Sequence, residues 1–177
     1  MFRSLSVVAL GILLFPVPGS ALPITDFSVP GRLPLGQGPF PPTSIAWQDT
    51  QAQVGVGDTV RLTAVGAFAA NDFFDPGISP EGTGQPGSSD FLAPGISRFA
   101  LVGKIGVFGD PFFIGSDFED VSTASGTLFL GINDEFFADN LGEFTVSGSV
   151  TPVPEPSTAA LLLFGLILFT QTRPRAV

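Results

Sequence analysis

Three segments of this chain alternate apolar and polar residues with a period of two, which is the pattern of a β-strand with one buried face. They are Asp58–Val65, Gly126–Ile132 and Glu143–Val150. Turns rich in Gly, Pro and Asp separate them from two mostly apolar stretches, Phe99–Phe108 and Phe112–Ile114. No segment has the apolar period of 3.6 residues that marks an amphipathic helix. The pattern predicts an all-β fold, a β-sandwich or jelly roll.

The composition is consistent with one such domain. The chain has 177 residues, of which 19 are Phe, enough to build a hydrophobic core, while 22 Gly and 17 Pro favour many turns. It contains neither Cys nor His. This excludes disulfides, thiolate zinc sites, Cys nucleophiles and Ser-His-Asp catalysis.

The charge is strongly acidic between the two ends. All 16 acidic residues lie between Asp26 and Glu155. The basic residues of that stretch are Arg32, Arg61, Arg98 and Lys104. Such a surface repels phosphate backbones, so we expect no nucleic-acid partner. It suits an exported soluble domain, or one that collects hard cations through carboxylates.

The N-terminal segment 1–21 is predicted to be a secretory signal peptide that forms a helix. Arg3 supplies the positive start, residues 7–17 are mostly apolar, and Pro18 to Ala21 offer small residues to a signal peptidase. The alternative is a membrane anchor, but the apolar stretch is shorter than the roughly 20 residues that span a bilayer. We therefore expect export across the inner membrane and cleavage.

The C-terminal segment 152–177 has three parts in a fixed order. Val153-Pro154-Glu155-Pro156 is followed by the apolar run 159–169 and then by Arg173 and Arg175. The prolines keep the tetrapeptide extended. Arginines beyond an apolar helix stay in the cytoplasm and stop its transfer. This order predicts a transient membrane helix preceded by a strand-like sorting motif.

This tail resembles the PEP-CTERM sorting domain. The resemblance implies recognition and cleavage by an exosortase, in a Gram-negative bacterium that makes exopolysaccharide. The mature protein is then expected at the cell surface or in the extracellular matrix. The basic end, two arginines separated by Pro174, is thinner than the cluster common in that family. The alternative is a plain C-terminal anchor.

The remaining chain divides into a lead-in and a working domain. Residues 22–44 are rich in Pro and Gly and are predicted to form an extended lead-in with at most a short edge strand. Residues 45–151 are predicted to form the sandwich. They include a long polar loop, Asn71–Asp90, whose length is typical of a functional or disordered segment.

A second loop, Asn133–Gly142, is compact and lies between two predicted strands. Asp134, Asp139 and Asn140 offer side-chain oxygens, the ligands that calcium prefers. Asn, Asp and Gly are also the ordinary residues of a hairpin turn. The residues themselves leave both interpretations open.

The order of motifs through the middle of the chain resembles the calcium-dependent bacterial galactophilic lectins, small galactose-binding-like jelly rolls. The resemblance spans about residues 47–150, and its clearest parts are Gly57-Asp58-Thr59-Val60, Gly131-Ile132-Asn133-Asp134 and Asp139-Asn140-Leu141-Gly142. It implies that Asp134, Asp139 and Asn140 bind calcium, which in those lectins bridges protein and sugar hydroxyls. A tyrosine position of the lectins falls near Ala70, and their sugar-contacting histidine has no counterpart here.

Three functions follow as hypotheses. The first is a lectin-like, calcium-dependent carbohydrate-binding domain, with Phe136 and Phe137, or Phe73 and Phe74, as rings that stack on a sugar. The second is a non-catalytic structural protein of the exopolysaccharide matrix that uses the sandwich only as a scaffold. The third, a glycosidase, needs two facing carboxylates. The available pairs, Asp72/Asp75 and Glu119/Asp120, lie in turn-like segments, so we expect no enzyme.

Overall fold

The computed structural model describes residues 20–32, 46–70 and 77–153. The predicted signal segment up to residue 19, Phe73 and Phe74, and the tail from Pro154, with Glu155, Pro156, Arg173 and Arg175, lie outside the described residues. Within the three described ranges there is no helix with the length and hydrophobicity needed to cross a bilayer.

The described residues form eight strands in two antiparallel sheets, as the alternating pattern predicted. The strands are β1 (Leu22–Pro30), β2 (Gln48–Val54), β3 (Thr59–Ala69), β4 (Leu101–Ile105), β5 (Phe112–Phe113), β6 (Asp117–Val121), β7 (Gly126–Ile132) and β8 (Leu141–Thr151). Sheet A has the order β1-β8-β3-β6, and sheet B has the order β2-β7-β4-β5. The fold is a β-sandwich.

The main core lies between the sheets and follows the period of two. Strand β3 buries Val60, Leu62, Ala64 and Phe68, β7 buries Leu128, Leu130 and Ile132, and β8 buries Phe144, Val146 and Val150. Phe68 and Phe144 meet edge to face, with ring centroids 5.5 Å apart. Alternate residues of each strand therefore fill the interior, which is why the sequence pattern is informative.

A second cluster covers the outer face of sheet B. It joins Val102 of β4 to side chains from three other segments: Ala46, Trp47, Leu92, Ala93 and Phe137. Backbone hydrogen bonds close segment 85–97 on itself, including Gly87 N to Ile96 O at 2.8 Å, and Leu92 N ties it to Asp134 O at 3.1 Å. Strand β7 accordingly has a half-buried Phe129 on its outer side rather than a solvated polar residue.

Three boundaries differ from the sequence prediction. The first nine residues of the expected lead-in form strand β1, which pairs with β8 along the edge of sheet A, so the sandwich begins at Leu22 rather than near residue 45. The expected strand Phe99–Phe108 is shortened to β4. Phe99 has a φ of 65°, and Gly106 closes a turn with Gly109, so neither end can continue the ladder.

Strand β6 was not predicted, because three of its five residues are acidic. It pairs with β3 at the other edge of sheet A, with Phe118 opposite the buried Leu62. An edge strand needs few buried residues, and charges on it discourage pairing with another molecule. The acidic composition that looked like a turn is therefore compatible with a strand at this position.

Candidate functional site

Three segments of the chain meet at one end of the sandwich, which we call the loop pole. They are the end of β1 at Gly31, the end of β3 at Ala70, and the loop 133–140. The register places Ala69 opposite Leu141, so β3 ends beside the last loop. Gly31 N donates to Gly142 O at 3.0 Å and holds the end of β1 against the same strand. The fold thus brings the predicted site residues together.

Gly142 turns the chain from the loop into β8. Its φ is 88°, in the region that favours glycine, and a Cβ there would lie 2.6 Å from Ala67 O. Glycine adopts this conformation without strain, which the entry into β8 requires. The turn sets the direction from which Asp139 and Asn140 approach the sandwich.

Asp134 and Asn140 are both buried and bind each other. Asn140 Nδ2 donates to Asp134 Oδ2 at 2.6 Å and to Gly31 O at 3.0 Å. These two acceptors fix which atom of the amide is nitrogen. Asn140 thereby links the end of β1 to the loop, a role that sequence reasoning missed because its partner is 109 residues away.

The other oxygen of Asp134 organises the loop itself. Asp134 Oδ1 accepts hydrogen bonds from Glu135 N at 2.6 Å and Phe136 N at 3.2 Å. This is the Asx turn that a hairpin interpretation predicts. A hairpin turn therefore accounts for Asp134 Oδ1. It does not account for the side-chain oxygens Asp139 Oδ1 and Asn140 Oδ1.

Two acceptor oxygens at the loop pole are buried without a donor. They are Asp139 Oδ1 and Asn140 Oδ1, and no described residue offers either of them a hydrogen bond. An unpaired buried acceptor is costly, and native proteins satisfy nearly all such atoms with a donor, a water or an ion. Oxygens without donors are the chemistry that a hard cation needs, so these residues fit calcium.

The pKa of Asp134 is raised, and no positively charged group is among the causes of this shift. Burial raises the pKa of Asp134 above its ordinary value of 3.8, and the nearby charge of Asp139 raises it further. The hydrogen bonds from Asn140, Phe136 and Glu135 act in the opposite direction. Asp134 and Asp139 lie close enough to repel each other, and no described basic side chain pairs with either, so a divalent cation would stabilise both carboxylates.

Among the described residues, no group of three or more acidic, His or Cys side chains is placed to hold a metal. The candidate set consists instead of two carboxylates and an amide. Calcium takes six to eight oxygens, so the remaining ligands would be backbone carbonyls and hydroxyls of water or a bound molecule.

Asn133 lies next to the site and has a structural role. Its Oδ1 accepts from Ala93 N at 2.7 Å, and its Nδ2 is shared among the carbonyls of Ala93, Ile96 and Ser97, each at 3.0 Å. Leu92 N also donates to Asp134 O at 3.1 Å. The loop 133–140 is therefore fixed against segment 85–97 before any ligand binds.

The two phenylalanines of the loop have different environments. Phe137 is 5% exposed and packs in the second cluster with Trp47 and Leu92. Burial of its ring argues against the predicted sugar contact and assigns it to packing. Phe136 is half-buried, so of the two loop phenylalanines only Phe136 remains a candidate for stacking on a sugar.

The carboxylates considered for catalysis do not converge on the described surface. Glu119 and Asp120 alternate across β6, so they face opposite sides of the sheet. Glu119 pairs with Arg61 on the outer side, with 2.8 Å between oxygen and nitrogen. Asp72 and Asp75 lie outside the described residues. Glu119 and Asp120 therefore lack the arrangement that glycoside hydrolysis requires.

Comparison with known proteins identifies a similar fold. The structure is similar to the EclA N-terminal domain, described as a PllA-like lectin, with a TM-score of 0.51 and 19% sequence identity. The match covers 72% of this chain and 97% of that domain. No protein-family model matches the chain, and no curated protein matches its sequence. The sandwich is lectin-like in fold.

Proposed function

We propose that this chain is an exported protein whose sandwich binds carbohydrate through calcium held at the loop pole. The observation that carries the proposal is a pair of buried acceptors that receive no hydrogen bond from the described part of the chain, Asp139 Oδ1 and Asn140 Oδ1, beside the carboxylate of Asp134. The likeness to a lectin domain and the strand order of the two sheets, which is that of a jelly roll, support it.

The proposed mechanism assigns a separate task to each residue. Asp134 keeps the loop folded through two backbone hydrogen bonds and offers its second oxygen. Asn140 uses its amide nitrogen to fix the loop to Gly31, which directs its oxygen into the site. Asp139 contributes its Oδ1, which makes no competing hydrogen bond to a described residue. Calcium would supply a Lewis-acidic centre for sugar hydroxyls.

We further propose that the terminal segments determine where the protein is located. The signal segment would direct export, and the motif Val153 to Pro156 with the apolar run and Arg173 and Arg175 would direct exosortase processing to the cell surface or exopolysaccharide matrix. Val153 is exposed and follows β8 by only two residues, so the motif begins directly at the edge of the folded domain. Intact mass spectrometry of the surface-released protein tests this: processing at the motif removes Arg173 and Arg175, and recovery of the full C-terminus would refute it.

A glycan array, probed with and without a calcium chelator, tests carbohydrate binding. The proposal predicts that the glycan signals held by the loop pole are lost both in chelator and in the Asp139→Ala variant. Asp90→Ala is a matched control, because Asp90 is an exposed acid outside the site. Calcium binding with no glycan signal would favour the matrix scaffold over the lectin.

A further inference from the structure

A second cavity lies at the end of the sandwich opposite the loop pole. It has a volume of about 310 Å³ and opens between the edge strands β5 and β6. Gly109 and the turn residues 122–124 contribute to its lining. Strand β7 runs between the two ends over seven residues, which separates this cavity from the loop pole by roughly 20 Å.

The floor of the cavity is apolar and is built by both sheets. Phe112 of β5 and Phe118 of β6 stack with ring centroids 5.2 Å apart and planes at 21°. Gly103 makes room for this pair, because a Cβ there would lie 3.0 Å from the Phe112 ring. Val60 and Ile105 complete the floor. The cavity therefore presents phenyl surface to whatever enters it.

A carboxylate faces inward at the rim. Asp120 lies on the same side of β6 as Phe118 and opposite the buried Val60, while its neighbour Glu119 points outward to Arg61. Asp120 Oδ1 accepts from Val121 N at 2.7 Å, which leaves Oδ2 available at the cavity. A negative charge on the core-facing side of a strand also discourages edge pairing, but that role alone does not require an aromatic floor beneath it.

The remaining rim offers further polar groups and no positive charge. Asp110 and Thr123 lie on the rim, and no Lys or Arg contributes to the described lining. Ser122 is already engaged, because its hydroxyl donates to Ala124 O at 2.7 Å. Two carboxylates would repel an anionic ligand but would accept hydrogen bonds from hydroxyl groups. Apolar cavities of this size with a few convergent polar groups are typical of small-ligand sites.

We propose that this cavity is a second, calcium-independent binding site for a neutral hexopyranose. The C–H face of the sugar would lie against the phenyl surface that the stacked Phe112 and Phe118 pair leaves uncovered, and its hydroxyls would donate to Asp120 and Asp110. The site is independent of the loop-pole site proposed above, since it uses neither that loop nor a cation. A domain with sugar sites at both ends can join two polysaccharide chains, and its avidity would exceed the affinity of either site.

Saturation-transfer NMR tests the inference, with the full chain in a zwitterionic detergent that carries no sugar headgroup. The probes are methyl α-pyranosides of glucose, galactose and mannose, measured in excess chelator. At least one is expected to receive saturation, and Asp120→Asn should weaken its binding at least about tenfold, because a charge-assisted acceptor becomes a donor. Glu119→Gln, on the opposite face of the same strand, should leave it unchanged.

The outcomes separate this inference from the proposed function. Binding that survives chelator and Asp139→Ala, but not Asp120→Asn, supports the second site whatever happens at the loop pole. The second site is refuted if no probe receives saturation in chelator. It is also refuted if Asp120→Asn leaves the binding of the probe intact. Tetramethylammonium serves as a cationic comparison probe in the same measurement. Saturation of this ion and of none of the sugars would also refute the second sugar site, because the cavity would then select organic cations. A melting curve of Asp120→Asn that matches Glu119→Gln verifies that the variant is folded.

Discussion

Asn140 donates a hydrogen bond of 2.6 Å to Asp134, and both side chains are buried. The same amide nitrogen also binds Gly31 O, so one side chain joins the last loop to the end of the first strand. This relationship explains why the amide oxygen lies in the site without a donor. It also makes Asn140 a structural residue as well as a candidate ligand.

Replacing Asn140 should therefore destabilise the protein even without calcium. Asn140→Leu leaves a buried carboxylate oxygen and a carbonyl without their donor, and we expect a loss of about 2–4 kcal/mol in the free energy of unfolding. Urea denaturation in chelator measures it. Gln53→Ala, which removes an exposed hydrogen bond to Thr127, is the control and should change stability by at most about 0.5 kcal/mol. Equal effects of the two substitutions would show that the link to Gly31 contributes little.

The raised pKa of Asp134 predicts a pH dependence in the absence of calcium. A carboxyl group whose pKa is higher in the folded state binds its proton more tightly there. Its contribution to stability is thus greatest below the unfolded value of 3.8 and declines as the pH rises through the folded pKa. The stability of the wild type relative to Asp134→Asn should accordingly fall over this interval and then level off. A relative stability that rises with pH would contradict the assignment, and saturating calcium should reduce the decline by favouring the carboxylate.

The different burial of the two loop phenylalanines predicts different losses. Phe137→Ala should open a cavity in the second cluster and cost about 3–5 kcal/mol. Trp47 is the single tryptophan of the chain and belongs to the same cluster, so its fluorescence should shift to longer wavelength in this variant. Phe136→Ala should cost clearly less and leave the emission maximum in place, since Phe136 is only half-buried. Similar fluorescence changes in both variants would contradict the assignment of Phe137 to the core.

Gly142 should tolerate no side chain. Gly142→Ala combines a φ of 88° with a Cβ 2.6 Å from Ala67 O, whereas Gly84→Ala has a φ of 76° with no atom within 4 Å of the Cβ. Both variants carry the backbone strain of about 1 kcal/mol or more, but only Gly142→Ala adds the contact with β3. Thermal melting should therefore show a larger loss for Gly142→Ala. Equal losses would mean that the strand can shift to accept the methyl group.

Much of the fold was predictable because its central strands obey a simple rule. Strand β7 was predicted as Gly126–Ile132 and has these bounds, since it lies inside a sheet and buries every second residue. Edge strands β1 and β6 bury only a few side chains and carry Pro or acidic residues. Their sequence therefore resembles a linker or a turn, and only pairing with β8 and β3 reveals them.

The sequence predicted which residue types form the candidate site, but not the contacts that they make. The Asp and Asn residues of loop 133–140 stand out in the sequence, but the contact of Asn140 with Gly31 is a property of the fold. Phe136 and Phe137 are adjacent and chemically identical, so no local pattern tells which of them packs inside. The packing of Leu92 and Trp47 decides in favour of Phe137.

A calcium-dependent melting curve of the full chain, compared with that of Asp139→Ala, tests the central claim most directly. Asp139 Oδ1 makes no hydrogen bond to a described residue and its charge raises the pKa of Asp134, so its removal should leave the calcium-free protein at least as stable. Asp139→Ala thus separates cation binding from folding, which variants of Asp134 or Asn140 do not. We predict that calcium at 100 times its dissociation constant stabilises the wild type by about 2.7 kcal/mol and leaves Asp139→Ala nearly unchanged. An identical response of the two proteins, or none at millimolar calcium, would contradict a calcium site at the loop pole.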